Sequence, residues 1–342
     1  MGKLAVVLFN LGGPDQPEAV RPFLFNLFND PAIIGAPAPI RRALAWWIST
    51  RRAPVAREIY AQIGGRSPLL ELTGLQGERL QAALGDDVKV FIAMRYWHPL
   101  TEQTVAEVKA WGPDRIVLLP LYPQYSGATS GSSLLAWRRA AKKAGLETPS
   151  VSVCCYPTEE GMIAAQAALL SAALDQAGQG VRVLFSAHGL PKTVIDRGDP
   201  YQIQVEMTAA AIVTALARPD LDWRVCYQSR VGPMEWIGPA TPDEIKRAGA
   251  EGKPLVVIPI AFVSEHSETL VELDIEYAHL AEQAGVPRYV RVPAVGTHPA
   301  FIEGLAALVR RSLTGGGTPC SERGERICPR TATRCAHGER TP

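Results

Sequence analysis

The chain has 342 residues, 47% of them hydrophobic and 20% charged, which is material for two cored domains and excludes a disordered chain. Thirty-five Lys and Arg oppose 34 Asp and Glu, and a net charge of +1 argues against a general nucleic-acid binder. Thirty glycines and 28 prolines point to many tight turns rather than a helical bundle.

The first apolar run, Leu4–Phe9, is too short for a secretory signal and lacks its cleavage site. No window of the chain is apolar enough to span a membrane, so a reducing, cytoplasmic location is expected. Next comes 37–52, PAPIRRALAWWISTRR, where Leu44, Trp46, Trp47 and Ile48 stand between Arg pairs. Two readings compete for it. The Trp residues pack on the core, or they form an exposed apolar lip that touches a membrane surface or a flat ligand.

Short runs rich in Val, Ile and Leu then recur. Val88–Ala93, Arg115–Leu121 and Val151–Cys155 complete the first half; Val181–Ser186, Trp223–Tyr227, Leu255–Phe262 and Arg288–Val292 make up the second. Such runs suit strands buried on both faces. Helical spacing marks Leu75–Leu84, Thr101–Ala110, Ser132–Ala144, Thr158–Ala177 and Ile203–Ala217 between them. Strand and helix alternate four times in each half, which predicts two α/β domains with four-stranded parallel sheets. The halves also echo each other, VLFNLGGP against VLFSAHGLP and IVLLPLYPQYS against VVIPIAFVSEHS. We place the domains at 1–156 and 157–313, with a tail at 314–342 that is too polar to build its own core.

Ligands of such sheets bind at the C-terminal ends of strands, where this chain places Asn10, Arg95, Tyr96, Tyr125, His188, Trp236 and His266. His188 follows a strand and precedes Gly189, and its side chain suits proton transfer near neutrality. A lone histidine is more often structural, and only its position lifts this one. Glu268, Glu272 and Glu276 are spaced by four, so they share one face of a helix starting near Ser267. That is either a solvated acidic face or a carboxylate ladder for cations, which with His188 would suit a divalent first-row metal. Thr129–Ser133 (TSGSS) reads as an anion-binding helix start or, more commonly, a capping loop. Dinucleotide, Walker, HExxH and GxSxG signatures are missing.

Taken together, LFNLGGP, RRAP with Tyr60, IGGRSPL, MRYWHPLTE, LYPQYSGATSGSSL, FSAHGLP, DRGDPY, QSRVGPMEWIGP and SEHSETLVELDIEY resemble ferrochelatase, from Leu4 to about Leu313. The resemblance implies two Rossmann-like domains with an intervening porphyrin cleft. It implies insertion of ferrous iron, a substrate, into protoporphyrin IX to form haem. His188 and Glu268 fall on the family's active-site pair, and His266, Glu272 and Glu276 on its acidic path. Leu11, Tyr60, Ser67, Arg95, Tyr96 and Trp236 match porphyrin-contacting positions, with Arg52 and Ser67 as candidate partners for the propionates. The 37–52 lip matches the segment that guides porphyrin and rests on the inner face of the membrane. The competing readings are a coproporphyrin or cobalt chelatase and a non-catalytic porphyrin- or haem-binding protein. Oligomeric state is not legible.

The cysteines are uneven. Cys154 and Cys155 adjoin, Cys226 lies in an apolar strand and reads as core, and Cys320, Cys328 and Cys335 lie in the tail. This is not a disulfide scaffold. The tail thiols are either unstructured or held by metal, zinc or iron–sulfur. Some ferrochelatases carry a 2Fe–2S cluster on C-terminal cysteines and one body cysteine. That resemblance implies Cys320, Cys328 and Cys335 with Cys155 as the fourth ligand, Cys154 or His337 being alternatives.

Overall fold

The computed structural model describes residues 2–230, 234–314 and 320–338. Residues 231–233 of the QSRVGPMEWIGP stretch, and 315–319 and 339–342 of the tail, lie outside the described residues.

The chain begins with β1 (Leu4–Asn10), α1 (Val20–Phe28), α2 (Ala38–Ala61), α3 (Leu69–Leu84) and β2 (Val88–Met94). It continues with α4 (Thr101–Trp111), β3 (Arg115–Pro120), a π-turn at Gly127–Gly131, α5 (Ser132–Ala144) and β4 (Ser150–Cys155). Then come α6 (Glu160–Ala177), β5 (Arg182–His188), α7 (Lys192–Asp196), α8 (Tyr201–Leu216) and β6 (Asp222–Gln228). α9 (Thr241–Ala250), β7 (Leu255–Pro259), a π-helix at Glu268–Glu276, α10 (Tyr277–Gln283) and β8 (Tyr289–Arg291) follow. α11 (Pro299–Thr314) and the two-residue β9 (Cys320–Ser321) complete the described order.

Two compact units result. One holds 1–121, 126–154 and 308–320; the other holds 122–125, 155–307 and 321–342. The first sheet runs β2-β1-β3-β4-β9 and the second β6-β5-β7-β8. Within each, the first four strands take the same order, second-first-third-fourth, and are paired in parallel. The echo between the halves is therefore topological. The α/β class with two parallel sheets is as expected, and β9 is an added fifth strand drawn from the tail.

Apart from their end residues Leu4, Arg115 and His188, the central strands β1, β3, β5 and β7 are buried, because helices cover both faces. Edge strands β2 and β6 carry Lys89 and Arg224 at exposed positions, which discourages pairing with another chain. Ala5, Val7 and Phe9 share one face of β1 and pack with Val105 and Val108 of α4 and Trp137 of α5. In the second sheet Leu184, Cys226 and Val257 pack against Ile245, Leu273 and Tyr277. Cys226 is core, and burial pushes its thiol up to about 12.

Helix α2 resolves the choice left open for the lip. Its buried positions are Ala45, Ser49, Ala53 and Tyr60, a stripe of mostly small side chains. Ala53 and Tyr60 pack with Val20, Phe23 and Leu24 of α1. The large apolar residues face outward instead: Ile40, Trp46 and Trp47 are more than half exposed. The Trp residues are not core, and the Arg51 guanidinium lies over the Trp47 ring at 5.6 Å. Among the described residues no helix is long and apolar enough to cross a membrane.

Contrary to the expectation from composition, the tail gathers a small apolar cluster of its own, Cys328, Ala332 and Cys335 with Ile327 packed against them, and residues 320–338 are also held against neighbouring elements. Glu322 accepts from both the backbone N–H and the hydroxyl of Thr158, and Gln204 Nε2 donates to Cys328 Sγ at 3.1 Å. The Arg334 N–H donates to the Gly198 carbonyl at 3.0 Å.

Candidate active site

In a sheet of this order, ligands bind where the chain leaves the first strand one way and the third the other way. In the second sheet that point lies between the C-terminal ends of β5 and β7. His188 is the last residue of β5, and Glu268 opens the π-helix that follows β7. Their side chains meet, with Nδ1 of His188 2.7 Å from Oε2 of Glu268. Wide π-turns recur at functional sites and here re-aim the acidic face that an α-helix would have presented.

The pair is polarised. Burial works against charge on His188, but Glu268 and then Glu272 outweigh it, and the imidazole pKa is raised above 6.5. Burial also opposes charge on Glu268, yet His188, His266 and the Ser229 hydroxyl bring its carboxyl down to about 2. Glu268 is thus anionic across the neutral range. His188 and Glu268 are 39% and 29% exposed, so a small ligand can reach them.

Glu272 is held more firmly. Its Oε1 accepts from the Ser229 N–H and the Tyr277 hydroxyl, both at 2.8 Å. Its Oε2 accepts from Gln228 Nε2 at 2.9 Å and Ser229 Oγ at 2.5 Å. Ser229 has φ +60°, an uncommon backbone for a residue with a Cβ. That conformation turns both its N–H and its hydroxyl onto one carboxylate. Sequence reasoning missed Gln228, Ser229 and Tyr277; no local signal announces a left-handed serine.

His266 differs from His188. Its Nδ1 accepts from the Glu268 N–H at 3.0 Å, and its ring stands edge-on to Phe262 with centroids 4.6 Å apart. Burial dominates there and lowers its pKa, so this imidazole stays neutral near pH 7. Glu276 is exposed at the far end of the π-helix, where partial burial and then the charge of Glu272 raise its carboxyl pKa. Trp236 is half-buried and bridges to Pro191. A Cβ at Gly189 would stand 3.0 Å from the Gln228 carbonyl and 3.3 Å from the Trp236 ring, so glycine lets the indole close on this turn.

The remaining expected residues lie on the first unit. Leu11, Tyr60 and Tyr96 join one apolar cluster with Leu24 and Trp97. The Ser67 N–H donates to the Pro14 carbonyl at 2.8 Å, and its hydroxyl accepts from the Leu69 N–H at the start of α3. Ser67 also lies so close to Gly13 that any Cβ there would collide with its hydroxyl. Arg52 is exposed, its guanidinium over the Phe28 ring at 5.9 Å. Arg95 and Tyr96 send polar atoms inward to Asp30.

Among the described residues, no three His, Cys, Asp or Glu side chains are grouped closely enough to hold a metal ion. No disulfide joins the six cysteines. The thiols expected to hold a cluster do not form one set. Cys320 Sγ donates to the Ser152 carbonyl, and burial with the neighbouring Cys154 pushes its thiol up to about 11. Cys335 hydrogen-bonds Cys328, which with the His337 backbone and Arg326 outweighs burial and brings its thiol down to about 6. Cys320 and the Cys328–Cys335 pair thus lie in two settings, and no single set of four cluster ligands forms among the described residues.

Comparison with known proteins decides the family. The ferrochelatase family model matches residues 3–313. The chain belongs to the ferrochelatase family. It is 60% identical over 318 residues to a ferrochelatase of Caulobacter vibrioides, covering 91% of this chain and 90% of the relative. It is 55% identical to one of Phenylobacterium zucineum, with 98% of each covered, and 46% identical to one of Rickettsia bellii. Insertion of ferrous iron into protoporphyrin to make haem is the reaction of this family. Among solved structures, the cobalt complex of the sirohydrochlorin chelatase SirB from Bacillus subtilis subspecies spizizenii is similar, with a TM-score of 0.53. It covers 91% of this chain and 95% of that one at 14% identity, a likeness of fold alone.

Proposed function

We propose that this chain inserts ferrous iron into protoporphyrin IX, with His188 as proton acceptor and Glu268 as the carboxylate that receives the metal. The observation that carries the assignment is the His188–Glu268 contact at the switch point of the second sheet. Two pyrrole protons must leave as one dication enters, so a base and an anion are needed side by side. His188 accepts protons only when neutral, and Glu268 offers an oxygen of the kind a divalent ion takes in exchange for water. Glu272, fixed by Gln228, Ser229 and Tyr277, holds a second carboxylate next to the first, and Glu276 extends the row outward. His266 caps the turn that aims Glu268, a role compatible with its place on the path. Leu11, Tyr60 and Trp236 offer apolar surface to the macrocycle, Tyr96 is buried behind that surface, and Arg52, Ser67 and Arg95 are polar partners for its propionates. Purified protein is expected to quench protoporphyrin IX fluorescence on anaerobic addition of ferrous iron, with haem as product. The same assay with cobalt and with coproporphyrin separates the competing chelatase readings, and binding without turnover would reject catalysis.

The exposed face of α2 supports a second proposal, peripheral contact with an anionic membrane. Trp46 and Trp47 with Arg42, Arg51 and Arg52 combine apolar area and positive charge on one element. Cosedimentation with phosphatidylglycerol-containing vesicles should fall by at least about tenfold in Trp46→Ser/Trp47→Ser. Unchanged binding would remove the lip from this role.

The tail carries a separate proposal, a 2Fe–2S cluster, supported by the cysteine content and not by side-chain arrangement. Acid-labile sulfide in anaerobically purified protein decides it.

A further inference from the structure

We propose that Asp30 is the positioning residue that holds Arg95 in place for the porphyrin, with Tyr96 as the buried ring beneath it, an inference that rests on the function given above. Asp30 lies in the connection from α1 to α2 and is 4% exposed. Three donors converge on its Oδ2: Arg95 Nη2 at 2.7 Å, the Tyr96 hydroxyl at 2.8 Å and Ser132 Oγ at 2.5 Å. Arg95 Nε also donates to Ser132 Oγ at 2.7 Å, which closes a triangle of Asp30, Arg95 and Ser132. The Arg95 guanidinium stacks over the Tyr96 ring at 5.0 Å.

The TSGSS segment lies inside one helical run: the π-turn Gly127–Gly131 leads straight into α5, and Ser126 caps its start by accepting from the Ala128 N–H. Ser132, one turn into that run, donates its hydroxyl to the Asp30 carboxylate. One carboxylate thereby joins the loop after β2, the start of α5 after β3, and the connection into α2. Arg95 is left 23% exposed, with Nε and one terminal nitrogen committed inward. Its other terminal nitrogen makes no hydrogen bond among the described residues and can face a substrate carboxylate. A free arginine would lose rotamer entropy on binding one; Asp30 has already ordered it.

Asp30 also has an ordinary structural task. Its Oδ1 accepts from the Ala32 N–H at 2.8 Å, closing a turn before α2. Asparagine closes such turns equally well, so Asp30→Asn keeps the turn and removes the anchor. With protoporphyrin IX and ferrous iron, Asp30→Asn is expected to raise the porphyrin KM about tenfold, with kcat within about twofold. Ser132→Ala, which leaves Asp30 and its turn intact, should raise KM in the same direction by a smaller factor. In an Arg95→Ala background, Asp30→Asn should add little, since the two act as one unit. Wild-type protein without metal insertion would reject the function itself. Active wild type with unchanged KM in Asp30→Asn and Ser132→Ala, or an undiminished Asp30→Asn effect in Arg95→Ala, would overturn the anchor.

Discussion

Replacing His188 by alanine is expected to lower the rate of iron insertion by at least about 100-fold while leaving porphyrin binding nearly unchanged. The residue ends β5, so its backbone is fixed by pairing with β6 on one side, and its side chain is 39% exposed. Removal therefore opens no cavity in the core and leaves no buried polar group stranded except Glu268, itself reachable by water. The loss should appear in kcat, because the imidazole is used when pyrrole protons leave rather than when the ring is bound. Stopped-flow loss of protoporphyrin fluorescence measures it, with equilibrium quenching as the binding control. A variant with wild-type kcat would sink the assignment of His188 as acceptor.

Replacing Glu268 by glutamine should act on both metal and proton. Loss of one anionic ligand is expected to raise the ferrous-iron KM by about 10–100-fold. The pH profile gives the sharper signature. In the native pair Glu268 raises the His188 pKa above 6.5, so activity should climb with pH through a midpoint above 6.5 as the imidazole becomes neutral. In Glu268→Gln the largest raising influence is gone and burial, which lowers, acts with little opposition. The acid limb should then move to lower pH, even though the maximal rate is smaller. An unshifted limb would mean that another group titrates.

The same pair predicts a direction for stability. The folded His188 pKa is raised, so its contribution is complete below about 6.5 and fades as pH rises through the folded value. The folded Glu268 pKa is depressed from 4.5 to about 2, so its contribution is present above about 4.5 and fades toward 2. The pair is stabilising between those limits, and its partial exposure makes that contribution small.

The candidate site residues were legible early as types at a spacing, while their reading as a metal site came with the family resemblance. His188 at a strand end and Glu268, Glu272 and Glu276 at intervals of four are visible in one dimension. The supports of those residues were not. Ser229 matters through a backbone angle that no neighbour announces. Asp30, just before Pro31, stands 65 residues from Arg95 and 102 from Ser132, and no local pattern links the three. The lip shows the same limit: its composition allowed two readings, and burial of Ala45, Ser49 and Ala53 chose the one in which the tryptophans face outward.

Periodicity by itself determined that this protein is an α/β chain of two related halves, because a strand buried on both faces must be a continuous apolar run and its covering helix must carry a stripe. Family-specific motifs added the chemistry. Only the tertiary structure decided which residues meet. It paired His188 with Glu268, committed His266 to a cap, gathered Arg95, Tyr96 and Ser132 on the Asp30 carboxylate, and divided the tail thiols between two environments. The reason is physical: hydrogen bonds and ion pairs act over about 3 Å. Residues that distant in sequence come within that range only after sheets and helices have been packed.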